Sequence, residues 1–150
     1  MFKFKIKSKK AVESSTIKDF KFLYDIILNN VSIKDIELNC HLLNDDYKKE
    51  YNPKNSWRYA KSFEVKGKGY DGGKKLNLRI DYCDEKIFFK CDPVKWTGEI
   101  EIEARYAAIV YQDKIALIID FGKNQLAKGT NRFFIIDFGK NLFNIKGDKK

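Results

Sequence analysis

Apolar and polar residues alternate along most of this chain, with the two-residue period of β-strands that bury one face. Charged or turn-forming segments separate the alternating runs, so we expect neighbouring strands to pair antiparallel. The pattern predicts strands over 2–7, 36–42, 57–65, 76–82, 87–89, 99–110, 115–121, 132–138 and 142–145.

One segment has a helical period instead. Its apolar residues recur mostly three or four positions apart, and the hydroxyl residues Ser14, Ser15 and Thr16 precede all of them as candidate N-caps. We therefore predict an amphipathic helix over 17–29 whose apolar stripe packs on the sheet. The stripe consists of Ile17, Phe20, Tyr24, Ile27 and Leu28.

Together these elements predict an α+β fold. One amphipathic helix packs on a long, curved, mainly antiparallel β-sheet, and closure of that sheet towards a barrel is an alternative. A length of 150 residues is enough for a single domain, 1–150, with a hydrophobic core of its own.

A seven-residue word occurs twice, at 118–124 and at 135–141. Each copy reads Ile-Ile-Asp-Phe-Gly-Lys-Asn, a β-rich run followed by turn-forming residues. We expect each copy to be a strand that stops at a Gly-Lys-Asn turn, with a positive φ at the glycine.

Two segments between the predicted strands are rich in turn residues. Residues 44–55 are polar and contain Pro53, which predicts a long loop of the kind that often carries function. Residues 67–75 contain four glycines and three lysines. The spacing of a phosphate-binding P-loop is absent there, and we interpret the segment as a flexible hairpin tip.

The net charge points to a polyanionic partner. It is +9, from 30 basic and 21 acidic residues. Only four basic residues are arginine, whereas lysine, asparagine, isoleucine, phenylalanine and tyrosine supply about half of the chain, as AT-rich codons do. Codon usage therefore accounts for part of the lysine content. The scarcity of arginine argues against sequence-specific DNA recognition.

Two rows of like charge lie on the wet faces of predicted strands. The first row is Lys3, Lys5 and Lys7, and the second is Glu99, Glu101 and Glu103. If the two strands are neighbours, the rows neutralise each other as cross-strand pairs. The effective positive surface would then contract to the glycine-rich segment.

The cysteines and the N-terminus bear on location. Cys40, Cys83 and Cys91 are odd in number and lack CxxC spacing, so we expect reduced thiols in a cytoplasmic protein. The N-terminus lacks the apolar core of a secretory signal, and no apolar run is long enough to span a membrane.

His41 neighbours Cys40 on a predicted strand and points to the opposite face, so we predict no metal site and a solvated His41.

Acidic and basic residues between 45 and 66 provide one enzymatic alternative. Asp45 or Asp46, together with Glu64 and Lys66, would hold Mg²⁺ between two carboxylates while the lysine steadies water or phosphate. The pattern resembles the PD-(D/E)xK nucleases, with Asp46, Glu64 and Lys66 in matching positions, although no proline precedes the aspartate. The resemblance implies a metal-dependent nuclease.

Aromatic and cationic residues interleave between 57 and 75, a pattern that favours binding of another macromolecule. Proteins hold single strands by stacking bases on aromatic rings and pairing phosphates with cations. An ordinary core strand would explain half of the same residues, and the two interpretations differ in whether Trp57 and Tyr70 are exposed. The candidate partner-binding residues are Trp57, Arg58, Lys66, Lys68, Tyr70, Lys74 and Lys75.

No segment carries a complete catalytic, metal or cofactor motif, so we favour a non-enzymatic, small intracellular binding protein over an enzyme. The AT-rich, motif-poor composition is typical of phage or mobile-element accessory proteins, including inhibitors of host defence or nucleic-acid-processing complexes. The expected partner is a protein or a nucleoprotein. A nucleic-acid or nucleotide binder and the nuclease are the alternatives.

Overall fold

Strands account for most of the fold. The computed structural model describes residues 15–17, 21–83, 86–138 and 143–146. The described strands are β1 Ser15–Ile17, β2 Leu38–Leu43, β3 Lys74–Lys75, β4 Leu78–Cys83, β5 Lys86–Cys91, β6 Val94–Tyr111, β7 Lys114–Ile136 and β8 Phe143–Lys146. The helices are α1 Lys21–Ile27 and α2 Trp57–Ala60, with 3-10 turns at Ile33–Asp35, Lys49–Tyr51 and Lys61–Phe63. Within these residues, no helix is both long and apolar enough to cross a membrane.

The described strands form two sheets. The larger has the order β1-β7-β6-β2-β3, and the smaller has the order β4-β5-β8. Every pairing in both sheets is antiparallel. The predicted α+β class with a mainly antiparallel sheet is therefore confirmed. The larger sheet does not close into a barrel, since β1 and β3 form its two edges in the described part of the chain.

The hairpin of β6 and β7 is the longest pairing in the larger sheet. Its register shifts at three places, one of which lies between the pairs Ala104↔Gln125 and Tyr106↔Asp120. Residues 121–124 of β7 therefore lie opposite the single residue Arg105. Such bulges bend a long strand and increase its twist, which accounts for the curvature expected of this sheet.

The first copy of the repeated word lies at this bulge, and the strand end predicted there is wrong. Gly122 has the expected positive φ, 86°, but β7 continues through it. Asp120 Oδ1 accepts hydrogen bonds from the Gly122 N–H at 2.8 Å and from Arg105 Nε at 2.7 Å. The turn-forming residues of the first copy therefore form a bulge and do not end the strand, since pairing with β6 resumes at Gln125. The second copy meets the end of β7, and its residues 139–141 lie outside the described residues.

Consecutive side chains of β6 enter two different cores, because both faces of the larger sheet are covered. Ala107 and Ile109 belong to the main core, which includes Phe22 of α1 and Phe89 of the smaller sheet. Ala108 and Val110 belong to a second core. Residues 44–65, which we call the aromatic lobe, cover this second face. The lobe contributes four side chains to the second core, which also contains Leu43 of β2. They are Tyr47, Trp57, Ala60 and Phe63.

The predicted helix over 17–29 is confirmed only in its centre. Helix α1 spans Lys21–Ile27, and Ile17 instead belongs to β1, where it pairs with Leu117. Residues 18–20, which join the two elements, lie outside the described residues. Backbone pairing with β7 therefore outweighs the helical spacing of Ile17.

The strand predicted over 57–65 is wrong. The Ser56 hydroxyl accepts a hydrogen bond from the Tyr59 N–H at 3.3 Å and so caps α2. The helical backbone brings Tyr59 beside Phe63, with ring centroids 5.5 Å apart, and buries Ala60 in the second core. The apolar spacing suits either a strand or a helix, and the cap together with these contacts favours the helix.

The strand predicted over 2–7 lies outside the described residues, and so do the lysines of the proposed charge ladder. The acidic side of that ladder is described. Glu101 lies opposite Lys128 of β7, with 3.4 Å between Lys128 Nζ and Glu101 Oε1. Both side chains are exposed, so this pair contributes little to stability.

A buried carboxylate joins α1 to the larger sheet. Asp25 is only 5% exposed and accepts a hydrogen bond from the Tyr111 hydroxyl at 2.5 Å. Asn29 and Lys21 donate to the same carboxylate at 2.9 and 3.1 Å. These donors, Tyr111 first, lower the pKa of Asp25 from 3.8 to about 2. Burial and this bond raise the pKa of Tyr111 to about 12.

We predict that Asp25→Asn lowers the free energy of unfolding at neutral pH. Because folding lowers the pKa of Asp25, the carboxylate stabilises the fold above its ordinary value of 3.8 and loses that effect as the pH falls towards 2. The difference between wild type and Asp25→Asn should therefore shrink across this interval. Urea unfolding at several pH values measures it, with the exposed Asp46→Asn as control. A difference that stays constant down to pH 2 would contradict the assignment.

Candidate functional site

His41 connects β2 to two segments that lie far away in the sequence. Its ring stacks on Trp57 of the aromatic lobe, with centroids 4.2 Å apart, and its Nδ1 lies 2.7 Å from Glu64 Oε2. On another side it meets the backbone of Gly73, where an added Cβ would lie 2.4 Å from His41 Cε1. The predicted solvated histidine is thus half-buried, and only glycine fits at position 73.

Glu64 accepts two hydrogen bonds on one oxygen. The Tyr70 hydroxyl donates to the same Oε2 as His41 and accepts a bond from the Leu42 N–H at 3.1 Å. Burial raises the pKa of Glu64, but the bonds from His41 and Tyr70 outweigh burial and lower it overall. An ionised carboxylate only accepts hydrogen bonds, so His41 Nδ1 carries the proton it donates. Burial, followed by the bond to Glu64, raises the pKa of Tyr70. We call His41, Glu64 and Tyr70 the polar hub.

The polar hub lies along the outer edge of β2, where short pieces of chain replace a regular neighbouring strand. Beyond β3, the Leu76 N–H donates to Leu38 O at 2.8 Å, and on the lobe side the Val65 N–H donates to Leu42 O at 3.0 Å. Between these two contacts along β2, the Tyr70 hydroxyl accepts a hydrogen bond from the Leu42 N–H. The hub therefore completes an edge that would otherwise leave backbone groups unsatisfied.

The glycine-rich segment 67–75 packs against β6, so the prediction of a flexible hairpin tip is wrong. A Cβ at Gly67 would lie 1.7 Å from Glu101 O. The Glu101 N–H donates to Lys68 O at 2.9 Å, and Trp96 Nε1 donates to Gly72 O at 3.1 Å. Close approach to β6 requires glycine at 67 and 69, and close approach to His41 requires it at 73, whereas Gly72 has open space and a positive φ of 113°. Sequence spacing does not reveal these approaches.

Two of the three lysines of this segment are paired with carboxylates. Lys68 Nζ lies 3.1 Å from Glu99 Oε1, and Lys74 Nζ lies 3.7 Å from Asp71 Oδ1. Lys66 lines an open groove of about 370 Å³ beside three glutamates. The groove is lined by Asn44, Ser62, Glu64, Val65, Lys66, Gly67, Glu101, Glu103 and Leu126. The positive charges of Lys68 and Lys74 are therefore partly offset by their neighbours, whereas Lys75 forms no ion pair with a described residue.

The aromatic lobe is held together by rings around Tyr47, which is 3% exposed. The Tyr47 ring centroid lies 6.4 Å from Tyr59, 6.0 Å from Phe63 and 5.7 Å from Tyr106 of β6. Its hydroxyl accepts a hydrogen bond from Asn52 Nδ2 at 3.1 Å. These contacts fix the lobe on the sheet and set the direction of its outer surface.

The outer surface of the lobe is basic and aromatic. Between 47 and 61 the sequence contains five basic residues and one acidic residue, Glu50. None of the five forms an ion pair with another described residue. Tyr51 is 71% exposed and Tyr59 is 37% exposed. The five basic residues are Lys48, Lys49, Lys54, Arg58 and Lys61.

The structure divides the predicted partner-binding residues between two places. Trp57 and Arg58 belong to the lobe, whereas Lys66, Lys68, Tyr70, Lys74 and Lys75 lie in or beside the glycine-rich segment. The rings of Trp57 and Tyr70 are both partly buried, Trp57 on His41 and Tyr70 on Trp96 at 5.3 Å. Neither ring is an open stacking platform. Arg58 is exposed beside the other cations of the lobe.

Sequence reasoning missed most of the lobe surface. Within the polar segment 44–55, the sequence predicts only a long loop that often carries function, and it does not single out the residues that form this surface, Lys48, Lys49, Tyr51 and Lys54. The apparent alternation after Ser56 concealed the helical turn. A signal was present, because Ser56 has the side chain of an N-cap at the position that an N-cap requires.

The carboxylates of the predicted nuclease pattern have other contacts. Glu64 accepts from His41 and Tyr70, and Asp45 pairs with Arg105 at 3.3 Å. Asp46 is exposed in the turn that follows β2. Across the ranges that the structure describes, no group of three or more histidine, cysteine, aspartate or glutamate residues is placed to hold a metal ion.

Comparison with family models, with curated proteins and with solved structures finds no match to this chain. Function is therefore inferred from the contacts, exposure and charge of the described residues.

We predict that Tyr70→Phe lowers the free energy of unfolding by about 1–3 kcal/mol, because the partly buried Leu42 N–H loses its acceptor and Glu64 loses a donor. Linear extrapolation of urea unfolding measures the change. Tyr59→Phe is the matched control, since it also removes one tyrosine hydroxyl, and it should change stability by less than about 0.5 kcal/mol. Equal effects of the two substitutions would show that the polar hub does not stabilise the fold.

Proposed function

We propose that this protein is a non-enzymatic binding protein. It binds a polyanionic partner, a nucleic acid or nucleoprotein, through the outer surface of the aromatic lobe. The observation that carries the proposal is the set of five basic residues between 47 and 61 that lack ion-pair partners among the described residues. Two exposed tyrosines, Tyr51 and Tyr59, accompany them.

The chemistry of these cations suits phosphate contact without sequence reading. Four of the five are lysines, which act as point charges, whereas bidentate reading of guanine favours arginine. Neutralising phosphates releases counterions, so such binding is strong at low salt and falls steeply as salt rises. The lobe thus supports contact with a phosphate backbone and not recognition of one DNA sequence.

The glycine-rich segment is a weaker candidate for this contact. Lys68 and Lys74 are each paired with a carboxylate, and three glutamates line the groove beside Lys66. Surface ion pairs are weak, but nearby acids still reduce the local positive potential that attracts a polyanion. The contrast between the two surfaces provides a matched comparison.

The amino-acid composition also supports a proposal about the biological setting of the protein. The AT-rich, motif-poor sequence supports an accessory protein of a phage or mobile element that blocks a host nucleoprotein complex by occupying its nucleic acid. An intracellular setting is part of the proposal. Cys40 and Cys91 are buried free thiols, and burial raises the pKa of Cys91 to about 12, so it remains a protonated thiol at neutral pH.

We predict that the double substitution Arg58→Glu and Lys61→Glu weakens binding of labelled oligothymidylate by at least about tenfold at low salt. The slope of log K against log salt should also become shallower by about 1.4, since each phosphate contact in a single strand contributes about 0.7. Fluorescence anisotropy measures both quantities.

The matched control for this prediction is Lys68→Glu with Lys74→Glu, which reverses two charges on the glycine-rich segment. We expect it to change affinity by less than about threefold, because these lysines already have carboxylate neighbours. A large loss in the control together with an unchanged lobe variant would place the site on the glycine-rich segment. Absence of binding by the wild type at low salt would refute the proposed function itself.

A further inference from the structure

We propose that the aromatic lobe holds unpaired nucleobases by stacking them on Tyr51 and Tyr59, so that its ligand is single-stranded and not duplex nucleic acid. The inference rests on the proposed function and adds the class of ligand. It is carried by where the two rings lie, how they are supported and which charges flank them.

The exposure of these rings is uncommon in this fold. Four large apolar or aromatic side chains are prominently exposed among the described residues, namely Leu28, Tyr51, Tyr59 and Leu126. Two of the four lie in the lobe, only eight positions apart in the sequence. Tyrosine is enriched at binding interfaces, because its ring is apolar and its hydroxyl is polar.

Tyr59 is a supported platform. Its ring packs against Phe63 and Tyr47, with centroids 5.5 and 6.4 Å away, while 37% of the residue stays exposed. Its backbone N–H is held by the cap at Ser56. A base that stacks on the exposed part of this ring meets a side chain that is already ordered, so binding loses little side-chain entropy.

Tyr51 is more open and has a fixed backbone. It is 71% exposed, and its N–H donates to Lys48 O at 3.1 Å in the 3-10 turn Lys49–Tyr51. No ring contact of Tyr51 occurs with another described residue. Its ring is therefore accessible to an incoming base.

Cations lie close to each tyrosine in the sequence. Lys48 and Lys49 precede Tyr51, whereas Arg58 directly precedes Tyr59 and Lys61 follows it by two positions. Single-strand binding requires that a base stacks on the ring while its phosphate contacts a neighbouring cation. Bases inside a duplex have both faces covered by their neighbours, so a duplex would use the cations alone. The tyrosines therefore give a preference for single strands.

The experiment compares three labelled probes by fluorescence anisotropy at one salt concentration: oligothymidylate, a DNA duplex of the same length and heparin. The variants are Tyr51→Ala, Tyr51→Phe and Tyr59→Leu, the last of which keeps apolar packing on Phe63 and Tyr47. We expect Tyr51→Ala and Tyr59→Leu each to weaken oligothymidylate binding by about tenfold. Tyr51→Phe should stay within about twofold of wild type, because the aromatic face remains. Heparin binding should not change.

The outcomes separate this inference from the proposed function. Equal affinity for duplex and single strand, or unchanged oligothymidylate binding by both non-aromatic variants, would overturn stacking while leaving polyanion binding intact. Polyglutamate serves as a fourth labelled probe in the same assay, and its binding as tightly as oligothymidylate would overturn the inference in favour of an acidic protein partner. Failure of the oligothymidylate, duplex and heparin probes to bind the wild type would overturn the proposed function and the inference together.

Discussion

Glu64 is the point at which three parts of the chain are held together. Its half-buried carboxylate needs donors, and it receives them from His41 on β2 and from Tyr70 on the glycine-rich segment. Glu64 itself lies near the end of the aromatic lobe, where it bridges to Leu43. Removing a donor from a buried charge costs more than a surface bond is worth. The placement of the lobe on the sheet, and so of its basic surface, depends on this carboxylate.

The lobe and the sheet support each other on the second face of the structure. β6 sends alternate side chains into the two cores, so the rings of the lobe pack on the reverse side of the strand that also builds the main core. The charges are divided by the same arrangement. The glycine-rich segment packs against the acidic face of β6, near Glu99 and Glu101. The five basic residues of the lobe form no ion pair with a described residue, although Lys61 lies close enough to Glu64, and Lys49 to Asp120, to lower the pKa of each carboxyl. Cations without an ion pair are therefore more numerous on the lobe than on the glycine-rich segment.

The sequence predicted those parts of the fold in which local pattern and burial agree. The alternation in β2, and in β6 as far as Ala104, has one face more buried than the other. The partners of the β4–β5 and β6–β7 hairpins also follow one another in the chain, so the antiparallel sheet could be recognised. The residues after Ser56 were misassigned because aromatic spacing there fits both periods, and tertiary contacts with Tyr47 decide between them. The polar hub could not be predicted, since His41 and Glu64 are 23 positions apart and meet only in the fold. The bulge at Gly122 likewise depends on Arg105, a residue of the partner strand.

The most direct measurement is an amide nuclear magnetic resonance titration of the labelled protein with oligothymidylate, because it locates the contact surface residue by residue. A nucleic-acid site on the lobe predicts that the largest shift changes fall within 48–61, and that 67–75 changes little. Changes concentrated in 67–75, with the lobe unaffected, would contradict the proposed site.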